Sequence, residues 1–134
     1  MSHLIQTGNL TGTPELKTSK NGRPWGAARV IHNDSERQQD GSWRQTSSIP
    51  YTVRAYGRQA EMLVAAAEAN GNINITFAGR YSVRTFQRQD GSGGIAYEVD
   101  ADTVAVSLGQ KVTLVKPEPS QGWGSGDEPP TEEF

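Results

Sequence analysis

Phe86 stands at an even position among Arg80, Arg84 and Arg88, in a segment whose odd positions Ile73, Ile75, Phe77, Tyr81 and Val83 are apolar. An aromatic ring on an otherwise polar face calls for a role other than burial. Beside guanidinium groups, such a ring offers a flat π surface for stacking, and the cations offer charge to an anion. The pairing recurs at residues 49 to 56, where Arg54 and Tyr56 share a parity with Thr52, against Ile49, Tyr51, Val53 and Ala55. It recurs around residues 25 to 33, with Trp25, Ala27, Arg29 and Ile31 on one face and Ala28 and Val30 on the other.

Strict alternation of this kind predicts half-buried β-strands, because successive side chains point to opposite faces of a sheet. Asn21-Gly22, Asp40-Gly41 and Asp90-Gly91 mark turns, since these residues tolerate positive φ. After Gly57 comes RQAEMLVAAAEAN, stopped by Asn70-Gly71. Its apolar residues Ala60, Leu63, Val64 and Ala67 follow the i, i+3, i+4, i+7 spacing of one amphipathic helix. Ile95, Tyr97, Val99 and Ala101 alternate with Glu98, Asp100 and Asp102, and the phase then moves to Val104, Val106 and Leu108. That change predicts a bulge near Asp102-Thr103. Three strands, a helix and two more strands suit an all-β, five-stranded Greek-key barrel with one helix, the OB-fold.

The chain of 134 residues has room for one domain and a tail. The absence of cysteine removes disulfides, thiolate metal sites and thiol nucleophiles, and His3 and His32 stand far apart, so no metal site or cofactor is expected. The longest apolar-rich stretch, Met62 to Ala67, is too short for a membrane span. The N-terminus has no basic region followed by an apolar run, which predicts a soluble cytoplasmic protein. Charge is unevenly placed: residues 1 to 116 carry about +3 and residues 117 to 134 carry −5. The expected organisation is a barrel over 1–110, an extra strand or the start of a linker over 111–116, and a disordered acidic tail over 117–134, rich in Pro, Gly and Ser. Lys111 to Lys116 alternates like a strand, and both readings of it remain open.

Gly8-Asn9-Leu10 with Thr13-Pro14-Glu15-Leu16, the Asn21-Gly22 turn, Tyr56-Gly57-Arg58-Gln59-Ala60-Glu61, Gly79-Arg80-Tyr81, Glu98-Val99-Asp100-Ala101-Asp102 and an acidic end closing on Phe134 occur in that order. Together they resemble the bacterial single-stranded DNA-binding proteins over about residues 3 to 108 and the last eight or so. The resemblance implies an OB-fold assembled as a homotetramer. It also implies coating of single-stranded DNA with little sequence preference in the cytoplasm, at the nucleoid, and recruitment of replication, recombination and repair proteins through the tail. Pro50 and Glu36 stand where the family commonly carries aromatic residues, which suits a paralogue with a specialised role.

Unpaired nucleic acid offers exposed bases to rings and phosphates to cations. Trp25, Tyr56 and Phe86 are the expected stacking residues, with Trp43 a looser candidate in the loop between the second and third strands. Arg29, Arg54, Arg80, Arg84 and Arg88 are expected on phosphates or bases, and Lys17 and Lys20 at the periphery. The polar, Gly-rich hairpin Gln87 to Gly94 is expected to be mobile without DNA. In the tail, Phe134 is expected to enter an apolar pocket of a partner, with Asp127, Glu128, Glu132 and Glu133 facing its basic rim.

No enzyme motif is present, and Glu98, Asp100 and Asp102 lack a companion His or nucleophile, although a metal-dependent nuclease would use such acids. The stronger rival is an OB-fold accessory module of a primosome, conjugation or phage assembly, or one that binds RNA or an oligosaccharide.

Overall fold

The computed structural model describes residues 2–114. Its elements are β1 (Ser2–Leu10), β2 (Glu15–Thr18), β3 (Pro24–Arg37), β4 (Trp43–Tyr56), α1 (Arg58–Asn70), β5 (Asn74–Gln87) and β6 (Gly93–Val106). The strands run in the order β1-β5-β6-β4-β3-β2, and a further pairing of β1 with β3 through Asn9↔Ile31 and Leu10↔Val30 closes the sheet. The result is a five-stranded OB barrel with β2 appended to β3. Sequence alternation missed β2 because all four of its residues are exposed, so it carries no apolar rhythm.

Inward residues of all five barrel strands meet α1 in one core, with Leu10, Val30, Val53, Ile75, Phe77 and Val99 fully buried and Ala60, Leu63 and Ala67 supplied by the helix. Tyr51 lies 5.5 Å from Phe77, 6.1 Å from Tyr81 and 6.2 Å from Tyr97, ring centre to ring centre, and this cluster ends the core on the hairpin side. Beyond it the strands continue as ribbons that nothing among the described residues covers. Val83 and Ile95, expected inside by their parity, are therefore 52% and 51% exposed. Leu108 lies past the other end of β6, outside the sheet, and is exposed there.

Pro50 marks where the two ribbons part company. The parallel β4–β6 ladder begins at Tyr51↔Tyr97, immediately after Pro50, which has no N–H to donate. From there β3–β4 and β5–β6 run on as separate two-stranded arms. Both arms end in an Asp-Gly-Ser tip, and Trp43 belongs to β4 opposite Arg37, not to a loop. At the β5–β6 tip, the Arg88 amide donates to the Ser92 carbonyl (2.7 Å) and the Ser92 amide and hydroxyl donate to Asp90 Oδ1 (2.9 and 2.7 Å). Gly91 takes φ 90° there, as the turn requires. The tip of this hairpin is thus a hydrogen-bonded turn, closed by the side chain of Asp90.

The expected bulge is present. Ala78 pairs with Thr103 and Gly79 with Ala101, leaving Asp102 as the extra residue. Gln59, in the first turn of α1, fixes it: its Nε2 donates to the Asp102 carbonyl (2.9 Å) and its Oε1 accepts from the Val104 amide (2.6 Å). Residues 111–114 form no strand. Asn70 holds that stretch against the helix end through two hydrogen bonds to the Thr113 backbone. The expectations for Lys116 and residues 117–134, including Asp127, Glu128, Glu132, Glu133 and Phe134, lie outside the described residues.

Candidate functional site

Register across four strands decides which outward side chains meet. Trp25 pairs with Tyr56, and Lys17 of β2 pairs with Trp25 on its other side. Ala27 pairs with Arg54, Arg54 with Asp100 and Asp100 with Arg80, forming one row across β3, β4, β6 and β5. The next row is Arg29, Thr52, Glu98 and Ser82; further along the β5–β6 arm come Arg84 opposite Ala96 and Phe86 opposite Gly94. Trp25, Arg29, Arg54, Tyr56, Arg80, Arg84 and Phe86 therefore project from the same face of the sheet, as their parity predicts. Trp43 stands far out on the other arm, 67% exposed. Lys20 lies in the turn after β2 and is exposed.

The rings are held in specific ways. Phe86 lies flat over Gly94: a β-carbon built there would come within 2.5 Å of the ring, so only glycine admits this packing. The Arg88 guanidinium sits 5.3 Å from the Phe86 ring centre, and the Lys17 ammonium 5.4 Å from that of Trp25. Both are cation–π distances.

Trp25 and Tyr56 flank a slot of about 240 Å³ completed by Ser19, Arg23 and Arg54. Arg23 reaches over Tyr56, its guanidinium carbon 5.9 Å from the ring centre, and the Ser19 hydroxyl accepts from its backbone amide at 3.1 Å. Sequence reasoning missed Arg23, although its number has the same parity as Trp25 and Arg29. Two half-buried rings with two guanidiniums across one slot can hold a planar group by stacking and an anion at its edge.

Sequence reasoning also missed that the acids of β6 share this face. Glu98 Oε2 accepts from Arg84 at 2.8 Å and lies 3.5 Å from Arg54. Asp100 Oδ1 accepts from the Tyr56 hydroxyl at 2.8 Å, with Arg54 at 3.8 Å. Burial first, then the bond to Asp100 and its charge, push the Tyr56 hydroxyl above its ordinary value, with Arg54 and Arg80 opposing. Tyr56 thus stays a donor and its ring stays fixed. Arg23, Arg29 and Arg80 have no ion-pair partner among the described residues. The face holds two kinds of cation: arginines braced by carboxylates and arginines left free.

The Glu98 carboxyl is held below its ordinary value of 4.5, chiefly by the hydrogen bond from Arg84, with Arg54 adding charge and burial opposing. A depressed folded value stabilises the fold above the unfolded carboxyl value, and that contribution is lost as pH falls through the folded one. Glu98→Gln is therefore expected to lose less stability than the parent between roughly pH 5 and pH 3. Urea midpoints at the two pH values check this, and equal losses in both proteins would show that the braces contribute nothing.

The comparisons with known proteins agree with this geometry. The model of the Single-strand binding protein family matches residues 1–107. A single-stranded DNA-binding protein of Corynebacterium glutamicum is 27% identical over 108 residues, which cover 80% of this chain and 47% of that protein, so the chain spans about half of that relative. The crystal structure of the small single-stranded DNA-binding protein from Streptomyces coelicolor superposes with a TM-score of 0.71 at 21% identity, covering 81% of this chain and 95% of that one, a likeness of fold. With a family match running through every strand and the helix, the chain belongs to the single-strand binding protein family.

Proposed function

We propose that this protein binds single-stranded DNA with little dependence on overall sequence, and that it does so as a binding protein without catalysis. The observation that carries the reading is the shared outer face of β3, β4, β6 and β5, where Trp25, Tyr56 and Phe86 stand among Arg23, Arg29, Arg54, Arg80, Arg84 and Arg88. Bases stack on the rings and phosphates follow the arginines that lack carboxylate partners, chiefly Arg23, Arg29 and Arg80. Titration with oligo-dT, the matching RNA and duplex DNA at two salt concentrations tests it through tryptophan fluorescence. Strong quenching by the single-stranded DNA with a steep salt dependence supports the reading, and equal preference for RNA or duplex overturns it.

A nuclease would gather Glu98, Asp100 and Asp102 around a metal. Among the described residues no three His, Cys, Asp or Glu side chains are placed to hold an ion. Glu98 and Asp100 are instead engaged with Arg54, Arg84 and Tyr56. Among the described residues no helix is long and apolar enough to cross a membrane.

The finer reading is a homotetramer acting in replication, recombination and repair. The β3-facing edge of β1 supports self-assembly, because only Asn9 and Leu10 pair with β3 and the exposed Ile5 stands on the unpaired stretch. Sedimentation would report a tetramer, and a monomer at working concentrations would sink that part. The acids of residues 117–134 and Phe134 suit a partner pocket with a basic rim and an apolar floor. The same negative charge competes with DNA for the arginine face. Removing residues 117–134 is expected to tighten DNA binding, most at low salt, and unchanged affinity at low ionic strength would count against the competition.

A further inference from the structure

Two acids of β6 stand among the arginines, and they are engaged differently. Asp100 holds the Tyr56 hydroxyl (2.8 Å) and so positions a ring. The polar partners of the Glu98 carboxylate among the described residues are two guanidiniums, Arg84 at 2.8 Å and Arg54 at 3.5 Å, both on the same oxygen. We propose that Glu98 sets the affinity of this face as an internal competitor: its carboxylate takes the place of a DNA phosphate on Arg54 and Arg84, and a bound strand displaces it. The inference rests on the single-stranded DNA reading and adds to it a residue that limits how tightly the face holds its ligand.

The two ion pairs are not needed to hold the strands together. Glu98 lies directly between Thr52 of β4 and Ser82 of β5, where both ladders are already formed. Arg54 and Arg84 reach it diagonally, each from two residues further along its strand. The Glu98 side chain is 14% exposed and that of Arg84 59%, so the arginine meets solvent and the acid lies beneath. Pairs with so exposed a partner contribute modestly to folding.

Their consequence for a polyanion is larger. Carboxylate and phosphate oxygens are bound by the same guanidinium N–H groups, so they compete for them. A phosphate brought to Arg84 also nears the charge of Glu98, and the two anions repel. Arg54 and Arg84 against Glu98 and Asp100 leave no formal net charge at the centre of the face. Arg23, Arg29 and Arg80, by contrast, have no ion-pair partner among the described residues. A competitor fixed beside its target acts at high effective concentration and recaptures the guanidiniums as a phosphate leaves. The centre of the track therefore releases DNA more readily than the arginines around it.

Binding of a labelled dT oligomer to the full chain, followed by anisotropy over a series of salt concentrations, tests this in the parent, Glu98→Gln, Arg84→Gln and the double variant. Glu98→Gln keeps the length of the side chain and removes its charge. It is expected to tighten binding by about fivefold or more at low salt and to steepen the logarithmic salt dependence by roughly 0.7 to 1.4, the share of one or two further phosphate contacts on a single strand. With Arg84→Gln already in place, the tightening is expected to shrink to about twofold, since only Arg54 is left to be freed. This coupling is the readout that a merely repulsive charge does not move: a remote charge adds the same increment in both backgrounds. Equal tightening with and without Arg84 overturns the inference while leaving single-stranded DNA binding intact. So does unchanged or weaker binding by Glu98→Gln, which would make the carboxylate a brace that readies the arginines. Failure of the parent to bind the oligomer overturns the single-stranded DNA reading itself, and the inference with it.

Discussion

Replacing Trp25 and Tyr56 together by alanine is expected to weaken single-stranded DNA binding by at least about 2 kcal/mol, roughly thirtyfold, given ~1 to 3 kcal/mol for each stacked base. The two rings flank one slot and share the guanidiniums of Arg23 and Arg54, so the single replacements are not expected to sum to the double one. Both rings lie on the outer face, half-buried and outside the core, so the circular dichroism of the barrel should persist. Trp43→Ala is the comparison. Its ring sits out on the β3–β4 arm, 67% exposed, and its loss should cost less than that of either slot residue. Anisotropy of a labelled oligonucleotide gives the readout, since tryptophan fluorescence itself is altered. A double variant within about twofold of the parent would remove the slot from the binding surface.

The largest effect on stability is expected at Gly79. A β-carbon there would stand 2.1 Å from the Asp100 carbonyl oxygen and 2.7 Å from Ala101 Cα, both backbone atoms that cannot turn aside. Gly79→Ala must therefore push β5 and β6 apart beside the bulge. Overpacking costs typically ~1 to 3 kcal/mol. With backbone on the receiving side, the upper end or beyond is expected, lowering the melting temperature by roughly 10 °C or more. Gly93→Ala serves as control, because nothing lies within 4 Å of a β-carbon there. Equal urea midpoints for the Gly79 and Gly93 variants would mean that the strands do not approach so closely. A partly tolerated Gly79→Ala would still shift Asp100 and Asp102, and DNA affinity should change with stability.

The parts of this fold that the sequence disclosed are those governed by local geometry. Alternation is a two-residue rule, so the outward parity of Arg54, Tyr56, Arg80 and Phe86 follows without knowing which strands are neighbours. The helix after Gly57 and the bulge at Asp102 also announce themselves locally, one by its apolar spacing and the other by a change of phase. What stayed hidden depends on partners distant in sequence. Glu98 meets Arg54 and Arg84 only because β6 lies between β4 and β5. The same parity rule applied to β6, with that strand order, would have placed its acids on the arginine face. Val83 and Ile95 have the right parity for burial, but the core ends at the Tyr51 cluster, and no local pattern records how long a barrel is. Trp43 was misplaced because polar residues around a turn hide the continuation of a strand beyond its barrel.

The break at Pro50 separates the growth of the arms from the integrity of the barrel. Toward the tips, beyond His32 and Ile49 on one arm and Val83 and Tyr97 on the other, each arm pairs only with itself among the described residues, so insertion or removal of one residue on both of its strands near the tip would lengthen or shorten the track for nucleic acid and leave every core residue in register. Paired changes of this kind keep each ring or guanidinium nearer the base on its original side. The reach of such a protein along its ligand can in this way be tuned in increments of a few ångströms, without renegotiating how the rest of the molecule folds.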